Sequence, residues 1–158
     1  MRHATIVGIF TAMLTLLPGL VFAEHVIDDS KNTSYLFVIS GTSGSLDGDT
    51  STLNGVPNVV YFSDRPVRIA GHLSVPEFIK MWSKGSGSFK ADPPNAVLSV
   101  FKKEGAENIV AELKGVQQKN GSIVFKVDTL AGRKAIESFG IAAVYIDAQH
   151  ADLYDVWQ

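Results

Sequence analysis

The 158-residue sequence contains no cysteine, which excludes a disulfide framework and every thiolate-based site, whether zinc, iron–sulfur or nucleophile. Stability must therefore come from packing. The chain also lacks an excess of base, with 14 Lys and Arg against 16 Asp and Glu. Nucleic-acid binders draw most of their affinity from phosphate contacts made by a strongly basic face, so no nucleic-acid partner is expected. Neither an internal repeat nor a low-complexity run is present. Beyond the N-terminus no segment approaches the ~20 apolar residues of a membrane span. Only one stretch has helical periodicity, which argues against a parallel α/β architecture. A Gly-x-Ser-x-Gly elbow and a His-Glu-x-x-His pair are both missing.

What is present begins with an export signal. Met1-Arg2-His3 is a short positive start, and Ala4 to Phe22 follows without a charge. Val21-Phe22-Ala23 has the pattern a signal peptidase accepts, which predicts cleavage after Ala23 and a periplasmic or secreted product. Pro18-Gly19 disfavours a long membrane helix at that point. With no cysteine at the cut, a lipid anchor has no attachment atom. The processed chain, 24–158, loses one cation, Arg2, and carries 13 Lys and Arg against 16 Asp and Glu. Its length suits one domain.

Runs of Val, Ile, Phe and Tyr separated by Gly, Asn, Asp and Ser predict strands at Ser34–Ser40, Thr50–Leu53, Val59–Ser63, Ala96–Lys102, Asn108–Leu113, Ser122–Thr129 and Gly140–Asp147. Ile123, Phe125 and Val127 alternate with Lys126 and Asp128, as expected of a half-solvated strand. The turns Lys103-Glu104-Gly105-Ala106 and Lys119-Asn120-Gly121 make residues 96–129 a three-stranded antiparallel meander. Leu46-Asp47-Gly48-Asp49-Thr50 centres a further hairpin from about Ser43 to Leu53. Its acidic residues lack the rest of a calcium-loop pattern, so turn chemistry is the better account and no metal is expected.

Ser74-Val75-Pro76-Glu77 has capping-box spacing, and Val75, Phe78, Ile79 and Trp82 share a helical face, predicting a short helix docked on the sheet with Trp82 buried. Ala91-Asp92-Pro93-Pro94 reads as an extended connector. Together these features predict an all-β fold: one antiparallel β-sandwich, or a related open barrel, of seven to nine strands over 24–147 with one inserted helix. Ala142 and Ala143 suggest close approach to another layer. Residues 148–158 form a C-terminal tail in which Leu153 and Trp157 are candidates for a closing element or a docking peptide.

The densest chemistry is Tyr61-Phe62-Ser63-Asp64-Arg65-Pro66-Val67-Arg68-Ile69-Ala70-Gly71-His72. Asp64 is placed to hold an Asx-turn as the strand exits, and Pro66 stiffens that exit. Arg65 and Arg68 stay charged at ordinary pH and demand carboxylate or carbonyl partners if enclosed, with Asp64 and Asp92 the nearest candidates. Two readings follow. In one, Tyr61, Asp64, Arg65, Arg68 and His72 bind a small anionic ligand or a partner surface, such as an envelope protein. In the other, the segment is a salt-bridged clasp in a structural envelope-interaction protein. A hydrolase, with Ser63 or Ser74 beside His72 and Asp64, has the residue types of a triad but neighbours in sequence that point different ways. A metal site would need the distant His25, His72 and His150. No catalytic residue, metal or cofactor is assigned.

The Tyr-Phe-Ser-Asp-Arg-Pro stretch, the following arginine, the Ala-Gly-His, the short helix ending in Met81-Trp82 and Ala91-Asp92-Pro93-Pro94-Asn95-Ala96 resemble a group of exported bacterial proteins. The resemblance spans roughly Tyr35 to Asp147. It implies membership of that group and export, and it carries no activity.

Overall fold

The alternating runs pair as a single antiparallel sheet in the computed structural model, which describes residues 33–84, 88–130 and 136–148. Its strands are β1 (Tyr35–Gly41), β2 (Ser43–Asp47), β3 (Thr50–Asn54), β4 (Val59–Ser63), β5 (Ala70–Leu73), β6 (Asn95–Lys102), β7 (Gly105–Lys119), β8 (Ser122–Thr129), β9 (Ile136–Phe139) and β10 (Ala142–Ala148); α1 (Val75–Trp82) lies between β5 and β6. The spatial order is β5-β4-β1-β10-β6-β7-β8-β3-β2-β9. Ten strands exceed the seven to nine expected, because β5 and β9 have only four residues each. Neither offers a long enough run to be read. The predicted signal segment, His25, His150 and residues 149–158 of the predicted tail lie outside the described residues. No helix among the described residues is long and apolar enough to cross a membrane.

Connectivity makes this sheet curl. Strands β1 and β2 are third and ninth in the order, yet a single residue, Thr42, joins them. One residue spans at most ~3.6 Å, so the two halves of the sheet must turn to face each other. The fold is therefore sandwich-like, with its inner faces continuous at the bend. Long β7 carries the opposite bend: its register against β8 shifts between Leu113 and Gly115, a bulge that lets it pair with β6 over its first part and with β8 over its second.

Period-2 burial then fixes the core. Phe37, Ile39, Leu53, Leu98, Ile123 and Phe125 all point into the space between the halves. Helix α1 lays its apolar face over that space. Phe78 meets Phe37 with ring centroids 5.7 Å apart, and Trp82 reaches Phe125 at 6.3 Å and Phe89 at 5.0 Å. Aromatic contact of this kind adds ~0.5–1.5 kcal/mol per pair to area burial. Met81 is buried as well, whereas Ile79 is only half-buried. The Trp82 indole N–H and the Ser51 hydroxyl are buried with no hydrogen-bond partner among the described residues.

Local rules hold the helix start and the turns. The Ser74 hydroxyl accepts the Glu77 backbone N–H, and Glu77 Oε2 accepts the Ser74 backbone N–H at 2.7 Å. The Asn120-Gly121 turn has φ of 52° and 80°, the two positive values of a type I′ hairpin. In the β2–β3 turn Asp49 accepts from the Thr50 hydroxyl and pairs with Lys126, so its carboxylate serves the hairpin. At both sheet edges an aromatic ring lies over a glycine: Tyr61 covers Gly71 across β4–β5, and Phe139 covers Gly44 across β9–β2.

A methyl group on Gly71 would stand 2.6 Å from the Tyr61 hydroxyl oxygen. Since Tyr61 is packed in the core, Gly71→Ala is expected to lower unfolding stability by ~1–3 kcal/mol, read as a lower urea midpoint at unchanged slope. The Glu77 carboxyl is held below its ordinary pKa, first by the Ser74 hydroxyl and then by the Ser74 N–H. A depressed folded-state pKa contributes stability above the unfolded value and loses it as pH falls through the folded one. The stability gap between wild type and Glu77→Gln should accordingly be full at neutral pH and close on acidification through the carboxylate range, in urea melts run at successive pH values.

Candidate functional site

Strand β4 leaves the sheet at Ser63 and β5 returns at Ala70, so Asp64–Ile69 forms a loop between paired strands. The expected Asx-turn at Asp64 is replaced by closure through Ser63. The Ser63 backbone N–H donates to the Ile69 carbonyl at 2.8 Å, and the Ile69 N–H donates to the Ser63 hydroxyl oxygen at 2.8 Å. That hydroxyl in turn donates to the Val67 carbonyl at 2.6 Å. Ser63 holds these bonds because it is the last residue of β4 and is half-buried, whereas the Asp64 side chain is exposed. The Asp64 backbone N–H ties the loop to the start of β1 through the Ser34 carbonyl at 2.9 Å. Within the loop the Arg65–Pro66 peptide is cis.

Burial separates the residues that the sequence singles out. Asp64, Arg65, Arg68 and His72 are exposed. Tyr61 instead is 3% exposed and packs edge-on to Tyr35 at 6.1 Å; burial raises its phenol above the ordinary pKa. The loop and its return strand thus bring the two arginines and His72 to one corner, and Tyr61 belongs to the core side. His72 stands opposite Val60 on the outer face, and its charge contributes to holding Glu77 ionised.

Among the described residues the ion pairs are Lys102–Glu107, Lys114–Glu112 and Lys126–Asp49. Neither arginine therefore forms an ion pair with Asp64 or Asp92 there. Asp92 lines a polar recess with Pro93, Pro94, Asn95 and Asp147. No group of three or more His, Asp or Glu able to hold a metal occurs among the described residues.

Apolar neighbours complete the corner. Phe62, just before the arginine loop, is 47% exposed, and Ile69, its last residue, is 40% exposed. These two were not nominated from sequence. The available signal was that Val59-Val60-Tyr61-Phe62 is apolar at every position, so a strand with Tyr61 inward must show Val60 and Phe62 outward. Two guanidinium groups with five N–H donors each, set beside exposed apolar side chains, suit carboxylate oxygens presented on a surface with apolar character of its own.

If Ser63 closes the loop, Ser63→Ala should cost ~1–2 kcal/mol and speed hydrogen exchange at the Ile69 amide far more than at amides of the β6–β8 meander.

Compared with protein-family models, with curated proteins and with solved structures, the chain matches none.

Proposed function

We propose that the protein is an exported, non-catalytic β-module that engages a carboxylate-bearing partner surface through the Asp64–His72 corner, with Arg65 and Arg68 as the contacting cations. The observation that carries this reading is the state of the arginines: both are exposed and lack an ion pair among the described residues. A clasp built on salt bridges would consume them, and the loop is closed without them. The N-terminal Met1–Ala23 pattern supports export to the periplasm or the medium. A non-catalytic role is supported by the serine hydroxyls: Ser63 donates to Val67 and Ser74 donates to Glu77 Oε2 at 2.6 Å, so both protons serve local structure. Exposure favours a surface over an enclosed small molecule, since Asp64, Arg65, Arg68 and His72 all stand open to solvent.

Immobilised poly-L-glutamate is a suitable probe. At low salt it should retain the wild type, whose overall charge is negative, and retention should fall as salt rises because the contact is electrostatic. Arg65→Ala and Arg68→Ala should each weaken retention by about tenfold while shifting stability by no more than ~0.5 kcal/mol. Equal retention of all three would contradict the assignment, and unfolding of both variants would favour the clasp.

A further inference from the structure

The alternation that fills the core also leaves an apolar set on the other side of the sheet. Register places Val60, Val38, Tyr145, Val97 and Val110 side by side in one row across β4, β1, β10, β6 and β7, with His72 of β5 at its end. The next row carries Ala70, Phe62, Leu36, Asp147, Asn95 and Glu112. On the far side, beyond a row of Ser40, Ala143, Ser99 and Asn108, Phe101 and Ile141 extend the same face, and Leu36, Phe62, Phe101, Val110 and Ile141 are between 40% and 63% exposed. Six strands ~4.8 Å apart, with side chains repeating every ~6.8 Å along them, make a face roughly 25 Å on a side. With the arginine loop at its rim this approaches the ~800 Å² per partner of a standard interface, with an apolar row between two rows that carry polar residues.

Charge on the face is polarised. Arg65, Arg68 and His72 stand at the β5 edge; Glu112 stands at the β7 edge of the same end, and Asp147 lies midway between them on β10. Within the chain Glu112 has only the part-exposed Lys114 as an ion-pair partner among the described residues. The sheet edges, by contrast, are poor templates for pairing, because β5 and β9 are four residues long.

We infer that a second copy of this chain docks on the outer face of β5-β4-β1-β10-β6-β7, about a two-fold axis parallel to the strands, with the arginine loop of each copy beside Glu112 of the other. Such an axis lays each row over itself in reverse order. Val38 then meets Tyr145, Val60 meets Val97, and the basic corner meets the acidic side twice. A two-fold axis perpendicular to the strands, also within the interface plane, would lay each strand over its own copy and would part these charges. The arrangement rests on the reading that Arg65 and Arg68 seek carboxylates, and it names the partner that presents them.

The test is sedimentation of the protein recovered from the exported fraction, between about 1 and 500 µM. Twice the monomer mass is expected at the upper end. Val97→Glu, which buries a charge within the apolar row, should leave a monomer with unchanged circular dichroism. Arg68→Glu and Glu112→Arg should each raise the dimer Kd at least tenfold, and the double swap should restore it to within about threefold of wild type. Should Val97→Glu fail to fold, the swap pair decides, since Arg68 is exposed and Glu112 is half-buried beside Lys114. A monomer throughout, a dimer indifferent to Val97→Glu, or single charge variants without effect would each overturn the inference. Loss of poly-L-glutamate retention by Arg65→Ala with no dimer present would leave the binding function standing alone.

Discussion

Thr42 joins two strands that stand six places apart in the sheet, and the consequences of that short link run through the molecule. The halves of the sheet face each other, so every inward side chain has a surface to pack on. Hydrophobic burial of ~25 cal/mol per Å² then becomes available to a chain that has no covalent cross-link. The remaining opening is filled by α1, whose Phe78 and Trp82 touch β1 and β8 from one platform. The helix is thus less an inserted extra than the contact that ties the two halves together at one end.

The candidate site depends on the same constraint. Because β4 lies next to β1 and its inward residues are committed to the core, Tyr61 is taken into the aromatic cluster and Phe62 and His72's neighbour Val60 are turned outward. Gly71 allows β5 to lie under the Tyr61 ring, and Ser63 folds the intervening loop back on itself. What the loop then presents is a pair of cations beside apolar side chains. The acid expected to neutralise them points into solvent.

Much of the architecture could be read from sequence where local rules act alone. The β6–β8 meander, the β2–β3 hairpin, the Asn120-Gly121 turn and the Ser74 capping box each depend on residues a few positions apart, and each was recognisable. The misses needed distant partners. Strand β5 exists because β4 offers an edge and Tyr61 covers Gly71; β9 exists because β2 offers an edge and Phe139 covers Gly44. Neither four-residue strand has periodicity enough to announce itself. At the site, the exposed arginines and the histidine were evident as a cluster, whereas the division of Tyr61 from Phe62 required knowing which side of β4 is the core. From sequence Ser63 is only a hydroxyl near a histidine; its three loop-closing bonds depend on a backbone path that residue identities do not specify.

Strand order also has a temporal side. The first strand of the described chain, β1, is flanked by β4 and by β10, the last strand. A polypeptide emerging from its N-terminus therefore offers β1 a neighbour on one side early and must wait for β10 to supply the other. Meanwhile the central meander, whose contacts are local, can assemble on its own schedule. Closure is reserved for chains that carry β10, and a product lacking it would keep an open seam in the middle of its sheet, where proteases and chaperones find unpaired backbone.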